Sequence, residues 1–194
     1  MKTELCIIAE KWGTDKVPAL RCHSYTPYYH MLFKDRRASI KRLLEIGIGW
    51  PGNMSHMEKY EIGASLHMWK EYFPQAEIWG LDSHVPTLFE EDRIHTMWCD
   101  QGKEECLRYA AEKMGGKFDV IIDDGSHDPK HQVMTATVFV PLLLAPDGTY
   151  AIEDLVDPVY VTENLPYVHD LVKFRPMLCS NDMLAVMRGE LILA

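Results

Sequence analysis

The chain has 194 residues, 47% of them hydrophobic and 25% charged, with a formal net charge of −9 at pH 7. That length suits one domain with a sizeable core, and the composition is that of a globular protein, not a disordered or fibrous one. The acidic balance speaks against general affinity for nucleic acid or an anionic membrane surface, and no stretch approaches the ~18 uninterrupted apolar residues of a membrane helix.

The N-terminal MKTELCIIAEKWG has a short apolar stretch interrupted by Glu10, which does not fit a signal peptide. Cys6, Cys22, Cys99, Cys106 and Cys179 are odd in number, widely spaced and without a C-x-x-C pair. That pattern predicts reduced, mostly buried thiols and a cytoplasmic location. Residues 1–39 are mixed in pattern, with a short helix and turn expected over 9–16 and a helix over 27–33. Residues 42–48, RLLEIGI, read as a buried strand that takes in Glu45 and runs into a glycine turn at Gly47 and Gly49. Glycine can take positive φ there and leaves no Cβ between the backbone and a ligand. The connection over 49–63 is long, and long loops in compact domains are usually functional. A helix over 64–73 carries Leu66, Trp69 and Phe73 at helical spacing and stops at Pro74.

A second strand over 77–81 ends at Asp82, 37 residues beyond Glu45. A glycine turn after one strand and an acid at the end of the next is the arrangement that binds an adenosine-bearing ligand, with the acid on the ribose hydroxyls. A third strand over 93–98 ends at Asp100, and a helix over 104–114 is closed by Gly115-Gly116. The fourth strand, over 118–122 (FDVII), ends in Asp123-Asp124. A helix then runs from Pro129 to about residue 144, with proline in its first turn. The fifth strand, over 148–152, ends in Glu153-Asp154. A helix is expected near 159–169, then an antiparallel pair over 171–174 and 183–187 joined through CSND. Strands alternating with helices predict a mostly parallel sheet with right-handed crossovers, a three-layer α/β domain.

Ligands of such sheets bind beyond the carboxyl ends of the strands, where this chain concentrates its polar residues. The fourth and fifth strands are expected to be neighbours, which brings Asp124, His127, Glu153 and Asp154 together. Singly, each acid reads more readily as a solvated or helix-capping group than as a functional one. Three converging carboxylates, however, repel one another unless a cation joins them or protons are taken up. Oxygen ligands suit a hard divalent ion, magnesium before zinc. Such an ion can hold two vicinal hydroxyls and acidify one. His127, three residues after Asp124, is placed to take the proton. The other histidines (His23, His30, His56, His67, His84, His95, His131 and His169) read as surface or core residues.

Taken together, KWGTDK (11–16), HSYTPYYHMLF (23–33), LLEIGIG (43–49), GASLHMWKEYFP (63–74), IWGLD (78–82), DVIIDDGSH (119–127) and YAIEDL (150–155) resemble the class I S-adenosylmethionine-dependent methyltransferases. Within them the resemblance is to the metal-dependent sugar O-methyltransferases of macrolide biosynthesis, the mycinamicin and macrocin type, and it covers roughly residues 10–160. The glycine motif is common to the superfamily, whereas KWGTDK, DDGSH and IEDL in combination are far more specific. The resemblance implies a Rossmann-like seven-stranded sheet with an antiparallel last strand, in a single domain over 1–194 whose residues 1–39 cap the cofactor site. It implies Glu45, Gly47 and Gly49 at the cofactor's amino-acid end, Asp82 on the ribose and Asp100 and Gln101 near the adenine. Ser65 and Trp69 would help close the pocket, 11–15 and Tyr25 would cover it, and Asp123 belongs to the same cofactor-binding group. Asp124, Glu153 and Asp154 match the magnesium (or manganese) ligands, and His127 matches the general base.

The implied reaction moves a methyl group from S-adenosylmethionine to a hydroxyl of a sugar or other small polyhydroxylated acceptor. Neither a nucleic-acid nor a membrane partner is expected, and a homo-oligomer is possible. Residues 50–62 and those from 156 onward match the family least and are the segments expected to shape the acceptor site. A second reading keeps the fold as a cofactor-binding regulatory module, in which a metal cage would have no use. A nicotinamide oxidoreductase fits less well: the third glycine of G-x-G-x-x-G would be Gly52, after Pro51 and within a long loop.

Overall fold

The computed structural model describes residues 2–20, 22–52, 60–174 and 183–188. The strands are β1 (Arg42–Ile46), β2 (Glu77–Asp82), β3 (Glu90–Glu91), β4 (Ile94–Trp98), β5 (Phe118–Asp123), β6 (Leu144–Ile152), β7 (Asp170–Lys173) and β8 (Met183–Arg188). Among the described residues they form one sheet in the order β3-β4-β2-β1-β5-β6-β8-β7. Strands β4, β2, β1, β5 and β6 run parallel, and β8 lies antiparallel to both β6 and β7. The expected seven strands and antiparallel last strand are there, with β3 as an addition. That two-residue strand pairs with Ile94 and His95 across a turn in which Arg93 takes φ +57°, and it is too short to show a period in the sequence.

Helices α1 (Glu4–Trp12), α2 (Tyr25–Phe33) and α3 (Ala64–Tyr72) cover one face, and α4 (Glu104–Met114), α5 (Pro129–Leu143) and α6 (Pro158–Asn164) the other. Helix α1 starts earlier than its pattern suggested because Thr3 Oγ1 accepts the Cys6 N–H at 3.3 Å, a side-chain cap. Gly13, at φ +71°, then ends it. Helix α6 stops at Asn164 instead of near 169 because Leu165 precedes Pro166, which disfavours helical backbone before it.

Side chains alternate across the strands, as the pleat requires. Leu43, Ile78, Ile94, Val120 and Ile122 pack under α1–α3, while Leu44, Ile46, Leu81, Ile121, Tyr150 and Ile152 pack under α4–α6. Each large apolar side chain so buried contributes roughly 1.5–3 kcal/mol. Truncating one at the centre, such as Phe139→Ala, costs about 3–5 kcal/mol.

From β1 the chain winds outward through β2 to β4, then returns to β5 on the opposite side of β1. Crossovers diverge on either side of β1, so a crevice opens beyond the carboxyl ends of β1 and β5. Cys6, Cys99 and Cys106 are free thiols, as expected. Cys22 is disulfide-bonded, which corrects the all-thiol expectation: proximity in the fold, not spacing along the chain, decides pairing. Cys179, the CSND connection and residues 53–59 of the long loop lie outside the described residues. No helix among the described residues is long and apolar enough to cross a membrane.

Candidate active site

The crevice is shaped first by glycine. Gly47 follows β1 at φ +90°, and a Cβ there would meet the Asp124 carbonyl oxygen at 2.0 Å. A Cβ on Gly125 would meet Gln101 Oε1 at 2.2 Å. These close approaches leave a cavity of about 270 Å³. Gly47, Gly49, Ser65, Asp82, Asp100 and Gln101 line one part of it, and Lys16, Asp124, His127 and Asp154 line the other.

Acids at the strand ends are held by neighbouring donors. Asp82 accepts the Ile48 N–H at 2.9 Å and the His84 N–H at 2.8 Å, which fixes its carboxylate at the end of β2. Asp100 accepts from Gly102 N at 3.0 Å and pairs with Lys103 Nζ at 2.9 Å. The Lys103 hydrogen bond holds its carboxyl below the ordinary range. Gln101 is a tie between two turns: its Nε2 donates to Asp123 Oδ1 at 2.7 Å, and its Oε1 accepts the Ser126 N–H at 2.8 Å. Asp123 is fully buried, and burial pushes its carboxyl up to about 7. Glu45 is also fully buried and accepts from Ser65 Oγ at 2.6 Å.

Glu45, Asp123 and Tyr25 stand behind the cavity and do not line it. Tyr25, likewise fully buried, donates to Asp154 Oδ1 at 2.5 Å. Trp69 is buried in the core beneath α3.

Strands β5 and β6 are neighbours, so their acidic ends meet. His127 Nε2 lies 3.2 Å from Asp124 Oδ1 and 3.6 Å from Asp154 Oδ2. Asp124, His127 and Asp154 each present a ligand atom within 4.8 Å of the others. His127 and Asp154 take φ +57° and +53°, left-handed conformations that cost non-glycine residues of the order of 1–3 kcal/mol and cluster at functional sites. Burial would push the His127 imidazole down, but the Asp124 hydrogen bond and the charges of Asp124 and Asp154 outweigh it and lift the pKa to about 9. Burial would likewise raise the Asp124 carboxyl, yet Lys16 and His127 hold it well below the usual range.

Glu153 is turned differently from Asp124 and Asp154. Its Oε2 lies 2.5 Å from Lys16 Nζ and its Oε1 accepts from Tyr29 OH at 2.7 Å. Lys16, only 1% exposed, also reaches Asp124 Oδ2 at 2.5 Å and Glu45 Oε1 at 3.3 Å. His23 Nδ1 lies 3.3 Å from Asp154 Oδ1. Reading the sequence assigned no site role to Lys16, Tyr29 or His23. The only signal for them was membership of the KWGTDK and HSYTPYYHMLF stretches, in which chemistry-bearing residue types occur without any spacing that links them to Glu153 or Asp154.

The donor set fits a hard divalent ion: carboxylate oxygens from two strand ends, with one imidazole beside them. The glycine-lined cavity running from Asp82 to Asp124 fits an extended adenosine-bearing ligand.

No protein-family model matches the chain. It is 39% identical over 147 residues to the 8-demethyl-8-(2-methoxy-alpha-L-rhamnosyl)-tetracenomycin-C 3'-O-methyltransferase of Streptomyces olivaceus, which takes in 76% of this chain and 34% of that protein. It is 38% identical over 154 residues to the mycinamicin VI 2''-O-methyltransferase of Micromonospora griseorubida, 79% of this chain and 36% of that one. The chain thus spans about a third of the length of the curated relatives it matches. Among solved structures, the MycE methyltransferase of the mycinamycin biosynthetic pathway, in complex with Mg and SAH, superposes with a TM-score of 0.72 at 27% identity. The match covers 98% of this chain and 56% of that one. A three-layer sheet of this strand order, with a glycine turn at its switch point, defines a methyltransferase-type nucleoside-binding domain. In sequence and fold the chain is similar to the class I S-adenosylmethionine-dependent methyltransferases, and within them to the sugar O-methyltransferases of the mycinamicin and macrocin type.

Proposed function

We propose that the chain is the catalytic domain of an S-adenosylmethionine- and magnesium-dependent O-methyltransferase acting on a hydroxyl of a sugar or other small polyhydroxylated natural product. The observation that carries this reading is the convergence of Asp124, His127 and Asp154 on the cavity opened by the Gly47 turn. Asp82 binds the ribose hydroxyls of the cofactor, the Asp100–Gln101 turn receives the adenine, and Gly47 and Gly49 let its amino-acid end approach the backbone. Ser65 lines the pocket beside them, and Glu45, Asp123 and Tyr25 support those contacts from behind. Asp124 and Asp154 would hold the ion, or manganese in its place; Glu153 would serve as the third ligand only by releasing the Lys16 and Tyr29 contacts that its two oxygens make here. When bound, the ion supplies Lewis acidity to a pair of vicinal hydroxyls and offsets the carboxylate charge that keeps His127 protonated. His127 accepts the acceptor hydroxyl proton at Nε2. Holding the acceptor oxygen in line with the cofactor methyl provides most of the rate. Residues 1–39 act as a cap, which is supported by Lys16 reaching the site from that segment.

A relative's substrate supports the acceptor class: MycE has been solved in complex with Mg, SAH and Mycinamycin VI. The test is a panel of sugar, polyol and catechol acceptors assayed for methyl transfer with and without magnesium, alongside calorimetry of the cofactor. Magnesium-dependent transfer to a vicinal hydroxyl is the expected result. Tight cofactor binding with no transfer to any acceptor would overturn it in favour of a regulatory binding module.

A further inference from the structure

Among the described residues of the carboxylate cluster, Lys16 carries an ammonium into the core. Its ammonium sits 2.5 Å from Asp124 Oδ2, 2.5 Å from Glu153 Oε2 and 3.3 Å from Glu45 Oε1. Lys16 and Glu153 are each 1% exposed and Glu45 is fully buried, so in the folded chain the ammonium, not bulk water, faces these carboxylates. Asp124 is divided: Oδ2 faces Lys16, while Oδ1 faces His127 at 3.2 Å. The ammonium therefore grips the rear of the cluster and leaves the Asp124–His127–Asp154 side open to the cavity. It also joins the two halves of the site, since Glu45 belongs to the Gly47 strand and Asp124 and Glu153 to the ends of β5 and β6.

Resting on the metal-dependent reading above, we propose that Lys16 is a positioning residue, a resident cation that keeps the Glu45–Asp124–Glu153 carboxylates assembled while no divalent ion is bound. Removing one partner of a buried ion pair leaves an uncompensated charge and is strongly destabilising, whereas removing both is nearly neutral. The divalent ion then enters a cluster already gathered, and its binding energy is not spent on collecting repelling acids. In a variant without the ammonium, folding and ion binding become one linked event.

The experiment compares thermal unfolding of the wild-type chain, Lys16→Met, Lys16→Arg and the double variant Lys16→Met/Glu153→Gln, each in chelator and in saturating magnesium. In chelator, Lys16→Met is expected to lose roughly 10 °C in Tm, and magnesium is expected to return at least about half of it. Lys16→Arg keeps the charge and should stay closer to wild type. The double variant should recover stability in chelator, because the surplus carboxylate is gone. If Lys16→Met does not fold at all, recovery by the double variant still supports the proposal. An equal loss in chelator and in magnesium, with no recovery in the double variant, would overturn it and make Lys16 a packing residue. Calorimetry of magnesium with the wild-type chain separates the two readings: an absence of binding there defeats the metal-dependent function, while the chelator comparison still judges Lys16.

Discussion

Gly47 and Asp124 are in backbone contact: a Cβ on Gly47 would stand 2.0 Å from the Asp124 carbonyl oxygen. The glycine turn after β1 is therefore packed directly against the turn after β5, where Asp124 N–H also donates to the Ile46 carbonyl at 2.9 Å. With Gly47 at φ +90°, Gly47→Ala meets both backbone strain and a backbone collision. It is expected to cost roughly 3 kcal/mol or more, read by denaturant unfolding, and to weaken cofactor and ion binding together. A variant that kept its stability and lost only one of the two affinities would break this link.

His127→Ala removes the proposed base without touching the Asp82 end of the cavity. Turnover is expected to fall roughly 10²–10⁴-fold while cofactor affinity, measured by calorimetry, stays within a few-fold. Asp124→Asn should likewise suppress turnover and should also weaken magnesium. A collapse of cofactor binding in His127→Ala would place the imidazole in the wrong role.

The clustered ligand atoms belong to Asp124, His127 and Asp154, whereas Asp82 and Asp100 are held by protein donors. Chelation should therefore abolish methyl transfer and leave S-adenosylhomocysteine binding largely intact. Titrating S-adenosylhomocysteine in the presence of a chelator checks this, and loss of that binding would contradict the division of the cavity.

His95, on β4, does not line the cavity and sits between Glu77 at 2.9 Å and Glu90 at 3.0 Å. Burial lowers its pKa, but the hydrogen bonds to Glu77 and Glu90 prevail and raise it above 6.5. A histidine raised on folding stabilises fully below its unfolded pKa, and that contribution fades as pH climbs through the folded value. His95→Gln should therefore lose more stability at about pH 6 than at about pH 8.5. Unfolding midpoints at the two pH values test the sign, and an equal loss at both would refute it.

Most of the sheet was legible because its signals are local. The run at Leu43-Leu44, the FDVII stretch and the proline at the head of α5 each state their element within a few residues. Elements whose limits depend on caps or on very short pairings, α1 and β3, were harder to see. The acidic strand ends were readable as a candidate site for the same reason, since each stands directly after its strand. Lys16 was not: its partners Asp124 and Glu153 are 108 and 137 residues away, and nothing local distinguishes a lysine that will be buried from one that will be solvated. Tyr29 and His23 escaped in the same way, as did the turning of Glu153 toward Lys16.

By itself the chain's order of residues determined which groups stand at the ends of the strands and that glycine would let a ligand approach the first of them. Tertiary structure decided which of those groups face one another. Placing β1 between β2 and β5 set the Gly47 turn against Asp124, and folding α1, α2 and the segment between them over the sheet carried Lys16, His23 and Tyr29 to the acids. The physical reason is that strand periodicity and glycine turns act over a few residues. The pairing of buried charges, by contrast, is settled only when distant segments exclude water from between them.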